Sequence, residues 1–129
     1  MHRHPYFDLW LHDDEELSAL LDSPLVERTT LHEWPLSCVQ LLRTAECHEF
    51  IYKAQAKPTV EPTFYANARS PILPSAEVIP GADAPAELLL EAISSPRLAE
   101  LSPTEEEALR IGRDVLEQIG QIAGELPAL

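Results

Sequence analysis

The sequence predicts an α+β fold: a small antiparallel sheet with a packed helix, followed by a long C-terminal helix. Three observations carry this. Short β-rich runs bounded by turn residues recur between residues 25 and 93. From Ala108 onward, apolar residues return every three or four positions. The length of 129 residues with 45% hydrophobic content suits one domain with one modest core.

The elements follow in order. Tyr6, Phe7, Leu9, Trp10 and Leu11 open the chain, and Asp13 or Asp14 caps a short helix over Glu15 to Leu21. Leu17, Leu20 and Leu21 form its apolar stripe, and Asp22-Ser23-Pro24 ends it, since the residue before proline avoids helical backbone. Residues Leu25 to Leu31 read as a short strand that Trp34-Pro35 interrupts. Cys38 to Leu42 and Glu49 to Ala54 read as a hairpin around the polar turn Ala45 to His48. Pro58 to Pro62 introduces a helix starting at Thr59 or Glu61, with Phe64, Tyr65 and Ala68 facing inward. Glu77 to Ile79 and Glu87 to Ile93 are two more strands around the turn Pro80-Gly81-Ala82-Asp83, the second apolar enough to be central. Ser102 caps the last helix, with Pro103 in its first position and Glu105 reaching back. Ala108, Ile111, Val115, Ile119, Ile122 and Leu126 line one face of it, and Gly124 and Pro127 end it. The chain therefore divides into an N-terminal helical segment (1–24), a sheet with its helix (25–101) and the C-terminal helix (102–129).

Charge excludes several classes. The formal net charge of −13 argues against a nucleic-acid partner, whose phosphates are held by Lys and Arg, and against an anionic membrane surface. No apolar run reaches the roughly 20 residues of a membrane helix, and the first residues lack a signal-peptide core, so a cytoplasmic location is expected. The acidity is uneven. Residues 28–69 hold five basic against four acidic side chains, including both lysines, Lys53 and Lys57, while both flanks are acidic. The acid runs Asp13 to Glu16 and Glu105 to Glu107 coincide with helix starts, where carboxylates complement the helix dipole. Cys38 and Cys47 read as reduced thiols. His2, His4 and His12 read as a solvated terminus, because no Cys or His pair at ligand spacing accompanies them, and no metal is expected.

Hydrolase, zinc-protease, P-loop and dinucleotide-binding motifs are absent, and the four glycines cannot form a phosphate cradle. One constellation remains. Lys53 closes the strand Phe50-Ile51-Tyr52-Lys53, and Glu61 stands at a helix start. A strand lysine aimed by a helical glutamate is how kinase-type folds neutralise the α and β phosphates of a nucleotide.

Residues 36–93 resemble the N-terminal lobe of the aminoglycoside phosphotransferase-like branch of the protein-kinase fold. The matching pieces are Ser37-Cys38-Val39, Ile51-Tyr52-Lys53, Glu61 to Tyr65, Ile72-Leu73-Pro74 and Leu88 to Glu91. The helix from Ser102 matches the one that crosses from the hinge into the second lobe. The resemblance implies ATP as cofactor, with Lys53 on the phosphates, Glu61 as its partner, Ser37 on the strand turn, and residues near Glu91 at the adenine edge. Eight residues separate Lys53 from Glu61, fewer than is usual in that family, and no glycine lies between Glu33 and Ser37. The family's downstream His-x-Asp loop, its Asn and its Mg²⁺-binding Asp do not follow, and His32 and His48 lack an Asp two residues on. The resemblance thus implies a nucleotide-holding fragment without catalytic residues of its own, using Mg²⁺ only with a second lobe. The alternative is a non-enzymatic α+β interaction module or homodimer whose C-terminal helix is covered by a partner.

Overall fold

The computed structural model describes residues 1–81 and 86–124, with the main chain alone at 98 and 99. Five antiparallel strands form the main sheet: β3 (Leu25–Trp34), β4 (Ser37–Thr44), β5 (Glu49–Gln55), β6 (Ala76–Ile79) and β7 (Glu87–Glu91), in spatial order β3-β4-β5-β7-β6. Two short strands, β1 (His2–Arg3) and β2 (Trp10–Leu11), pair separately, and helix α1 (Asp14–Leu20) follows them. Helix α2 (Glu61–Asn67) connects β5 to β6, and a 3₁₀ turn (Leu98–Leu101) precedes helix α3 (Glu105–Gly120). The architecture is the α+β class expected, and β7 lies inside the sheet.

Alternation sorts the strand side chains onto two faces. In register, Leu42 faces Phe50, Gln40 faces Tyr52, Cys38 faces Ala54, and Leu89 faces Tyr52 from the other side. This face forms the core with Leu9, Leu11 and Leu17 of the N-terminal segment. The opposite face carries Leu41, Ile51 and Leu90 in one row, then Val39, Lys53 and Leu88 in the next. Helix α2 packs beside β6 and buries Pro62, with Ala68 buried just after it. Phe64 and Tyr65 are half-buried.

Several local expectations change. Trp34-Pro35 does not interrupt β3. The strand absorbs its irregularity in bulges at 25–27 and 30–32 and runs to Trp34, so Pro35 and Leu36 form the tip of a β3–β4 hairpin. Strand β7 stops at Glu91, two residues earlier than expected. The cap of α3 is Thr104, not Ser102: Thr104 Oγ1 accepts the Glu107 amide, and the Glu107 carboxylate accepts the Thr104 amide at 2.9 Å. Two capping boxes compete in this stretch, and the one satisfying both orphan donors wins. Ser102 instead adopts φ +45°. Helix α3 ends at Gly120, so Ile122 and Gly124 lie beyond it and not on its face or at its end. The expected Leu126 and Pro127 lie outside the described residues, as do Ala82 and Asp83.

The terminus is not solvated throughout. His2 is exposed, but His4 is 5% exposed and the His12 side chain is 14% exposed. Apolar residues between the histidines pull the segment onto the core, and each ring finds a carboxylate there. Cys38 is buried and Cys47 exposed, both as free thiols. No described helix is long and apolar enough to cross a membrane.

Candidate functional site

The period of two along β5 puts Ile51, Lys53 and Gln55 on the face away from the main core. The chain then turns so that Glu61 occupies the first position of α2, followed by Pro62, where a carboxylate complements the helix dipole and proline loses no needed donor. The turn brings the two ends together. Lys53 Nζ donates to Glu61 Oε2 at 2.6 Å, and Gln55 Nε2 donates to the same oxygen at 2.8 Å. The lysine and glutamate side chains are 23% and 28% exposed. A partly solvated pair of this kind adds little to stability. Its chemical value is orientation: Glu61 accepts from one of the three ammonium donors and fixes where the lysine head points.

Beside Lys53 on the same face lies an open groove of about 430 Å³. Leu31, Leu41, Ile51 and Leu90 form its apolar floor, and residues 91–94, where the chain leaves β7, form one wall. The groove volume falls within the range of small-molecule sites. Among the lining residues, Leu31 and Ile93 are 54% and 62% exposed. Reading the sequence for motifs misses this floor, because its residues come from four strands. The signal available was the spacing of Ile51 two residues before Lys53.

Ser37 begins β4 opposite Gln55, on the Lys53 side of the sheet. It is buried, and its Oγ accepts the Trp34 indole N–H at 2.8 Å, which ties the tip of the β3–β4 hairpin. The Glu91 carboxylate does not join Lys53: Glu91 pairs with Phe50, and its Oε2 accepts the Ser75 amide at 3.1 Å. Glu91 itself is among the residues that line the groove, with Ala92, Ile93 and Ser94 after it. Burial, then the nearby Glu61, push the Tyr65 hydroxyl up from its ordinary value.

The core face holds two polar clusters that the motif reading did not foresee. Tyr52 donates to Glu87 Oε1 at 2.6 Å and accepts the His12 amide at 2.9 Å, while His12 Nδ1 lies 2.8 Å from Glu87 Oε2. Arg28 stacks over the Tyr52 ring and bonds Gln40. His12-Asp13-Asp14 has the His-x-Asp form, but it lies upstream on this opposite face, with Asp14 paired to Arg28 at 2.7 Å. It is the start of α1, with Asp13 as the cap.

In the second cluster, one ligand atom each of His4, Glu33 and Cys38 lies within 4.8 Å of the others. His4 Nδ1 accepts the Tyr6 and Phe7 amides at 3.2 and 3.3 Å, so the ring proton sits on Nε2, 2.9 Å from Glu33 Oε2. A metal on Nε2 would have to take the place of that proton. Burial, and then Glu33, raise the Cys38 thiol above its ordinary value, which disfavours the thiolate a metal needs. The cluster works as a clamp between the N-terminal segment and β3.

No family model, curated protein or solved structure matches the chain.

Proposed function

We propose that this chain binds ATP on the Lys53 face of its sheet, as the nucleotide-holding lobe of a small-molecule phosphotransferase of the aminoglycoside phosphotransferase-like kind. The observation that carries the reading is the 2.6 Å contact between Lys53 on the third strand of the sheet and Glu61 on the helix that follows. That lysine–glutamate pair is the element kinase-type sites need in place before phosphoryl transfer. The separation of eight residues is enough, because the loop delivers Glu61 at the first turn of α2.

In this reading Lys53 neutralises phosphate oxygens and Glu61 keeps the ammonium aimed. The groove floored by Leu41, Ile51 and Leu90 takes the adenine ring, whose edge meets main-chain groups near Glu91. Ser37 shapes the hairpin tip beside the phosphates. A general base and metal carboxylates would come from a second lobe, and Mg²⁺ with them, so the chain holds the nucleotide without transferring its phosphoryl group. A cytoplasmic location, where ATP is abundant, fits this role. Titrating ATP into isotope-labelled protein tests the reading. Resonances of Ile51, Lys53, Leu90 and Ile93 should shift together, whereas shifts confined to the core face would sink it.

A second reading rests on α3. None of its residues is buried, and Leu109, Val115, Leu116 and Ile119 are exposed. An apolar face of this kind marks a contact surface, for a second lobe or a second copy. Light scattering separates the two: a dimer mass that reverts to monomer in Leu116→Glu favours self-association, and a monomer at all concentrations excludes it.

A further inference from the structure

Resting on the nucleotide reading, we infer that Gln55 is a positioning residue that holds Glu61 in place for Lys53. Gln55 stands two residues after Lys53 on the same sheet face, so both side chains reach toward the start of α2. Both donate to one oxygen, Glu61 Oε2, at 2.6 Å from Lys53 and 2.8 Å from Gln55. The amide cannot turn over, because its carbonyl oxygen would then face the carboxylate. Gln55 is itself anchored by its main chain, whose amide donates to the Ala86 carbonyl at 2.9 Å.

The consequence concerns freedom of movement. A glutamate at the first turn of a seven-residue helix has several rotamers, and an ion pair with a mobile lysine does not select one. The side-chain amide of Gln55 adds a second bond to the same carboxylate oxygen and so does select one, while its own Oε1 is buried with no hydrogen-bond partner among the described residues. When an anionic ligand draws the ammonium away, Gln55 keeps the carboxylate where the lysine left it. The pair is then ready to reform on the ligand without a search. Gln55 does not touch the ligand; it acts through Glu61.

The test uses the two lysines of the chain, Lys53 and Lys57. Limiting acetic anhydride is applied to the full chain, and acetylation at each lysine is read by peptide mass spectrometry, with Lys57 as internal reference. Gln55→Leu should raise the Lys53-to-Lys57 ratio about three- to tenfold, the scale of one lost hydrogen bond. In a Glu61→Gln background the same substitution should change nothing, because the carboxylate it positions is gone. Gln55→Met serves if Gln55→Leu does not fold, as judged by circular dichroism. An unchanged ratio in the Gln55 variants overturns the proposal, and so does a rise that persists in the Glu61→Gln background. The measurement needs no nucleotide, so its outcome stands apart from whether ATP binds.

Discussion

Tyr52 donates its hydroxyl proton to Glu87 across two neighbouring strands at 2.6 Å, on the sheet face opposite Lys53. Glu87 is 9% exposed, and Tyr52 is fully buried. A carboxylate at that depth is tolerable only with hydrogen-bond partners. The same hydroxyl also accepts the His12 amide, so one oxygen joins β5, β7 and the N-terminal segment. Tyr52→Phe should therefore cost about 1–3 kcal/mol, the penalty for leaving a buried acceptor and a buried amide short of a partner. Urea unfolding measures it; a loss below about 0.5 kcal/mol would mean that solvent reaches both groups.

Stability should fall on the alkaline side. Burial, then the bond to Glu87, push the Tyr52 hydroxyl well above its ordinary value of 10.0. Cys38 is raised above 9.0 by burial. A group whose folded value is raised binds its proton more tightly when folded. Its contribution is therefore complete below the unfolded value and is lost as pH climbs past it. Stability should hold to about pH 9 and decline above it. Tyr52→Phe should flatten part of that decline in pH-dependent melting, and an identical slope in the variant would remove Tyr52 from the account.

Gly124 adopts φ +121°, and a Cβ built there would sit 2.1 Å from the Asn67 carbonyl oxygen. That close approach lets Ala123 and Arg69 exchange main-chain hydrogen bonds at 2.6 and 2.9 Å. Gly124→Ala should break this link and destabilise by more than about 1 kcal/mol. Hydrogen exchange should show the Arg69 and Ala123 amides losing protection while β5 keeps its own. Unchanged protection would refute the requirement for glycine.

Much of the architecture was readable because it rests on local chemistry. Leu88-Leu89-Leu90 reads as an inner strand from its apolar run, and the polar turn at residues 45–48 as the join between two extended runs. The Lys53–Glu61 pair was readable because strand period and helix start each place one partner. What escaped depends on contacts distant in sequence. Glu87 and His12 look like surface residues until Tyr52 is placed between them, 35 positions from the first and 40 from the second. His4 is buried for a comparable reason, with Glu33 arriving from β3. Capping at Thr104 was missed because two overlapping boxes satisfy the same pattern, and only the finished helix shows which one closes.

The groove makes its own prediction. Ile93 lines its wall and is 62% exposed, so a polar substitution there should leave folding intact. Ile93→Asp should weaken an ATP analogue about three- to tenfold, the scale of losing part of one apolar contact, with the melting temperature unchanged. Equal affinity would move the adenine ring elsewhere.

The most direct measurement is calorimetric titration of a non-hydrolysable ATP analogue into the wild-type chain and into Lys53→Ala. Saturable one-to-one binding is expected, weakened about ten- to a hundredfold by loss of the ammonium, the range of a charge-assisted hydrogen bond. Binding that is absent in both proteins, or equal in both, would contradict a nucleotide role for Lys53.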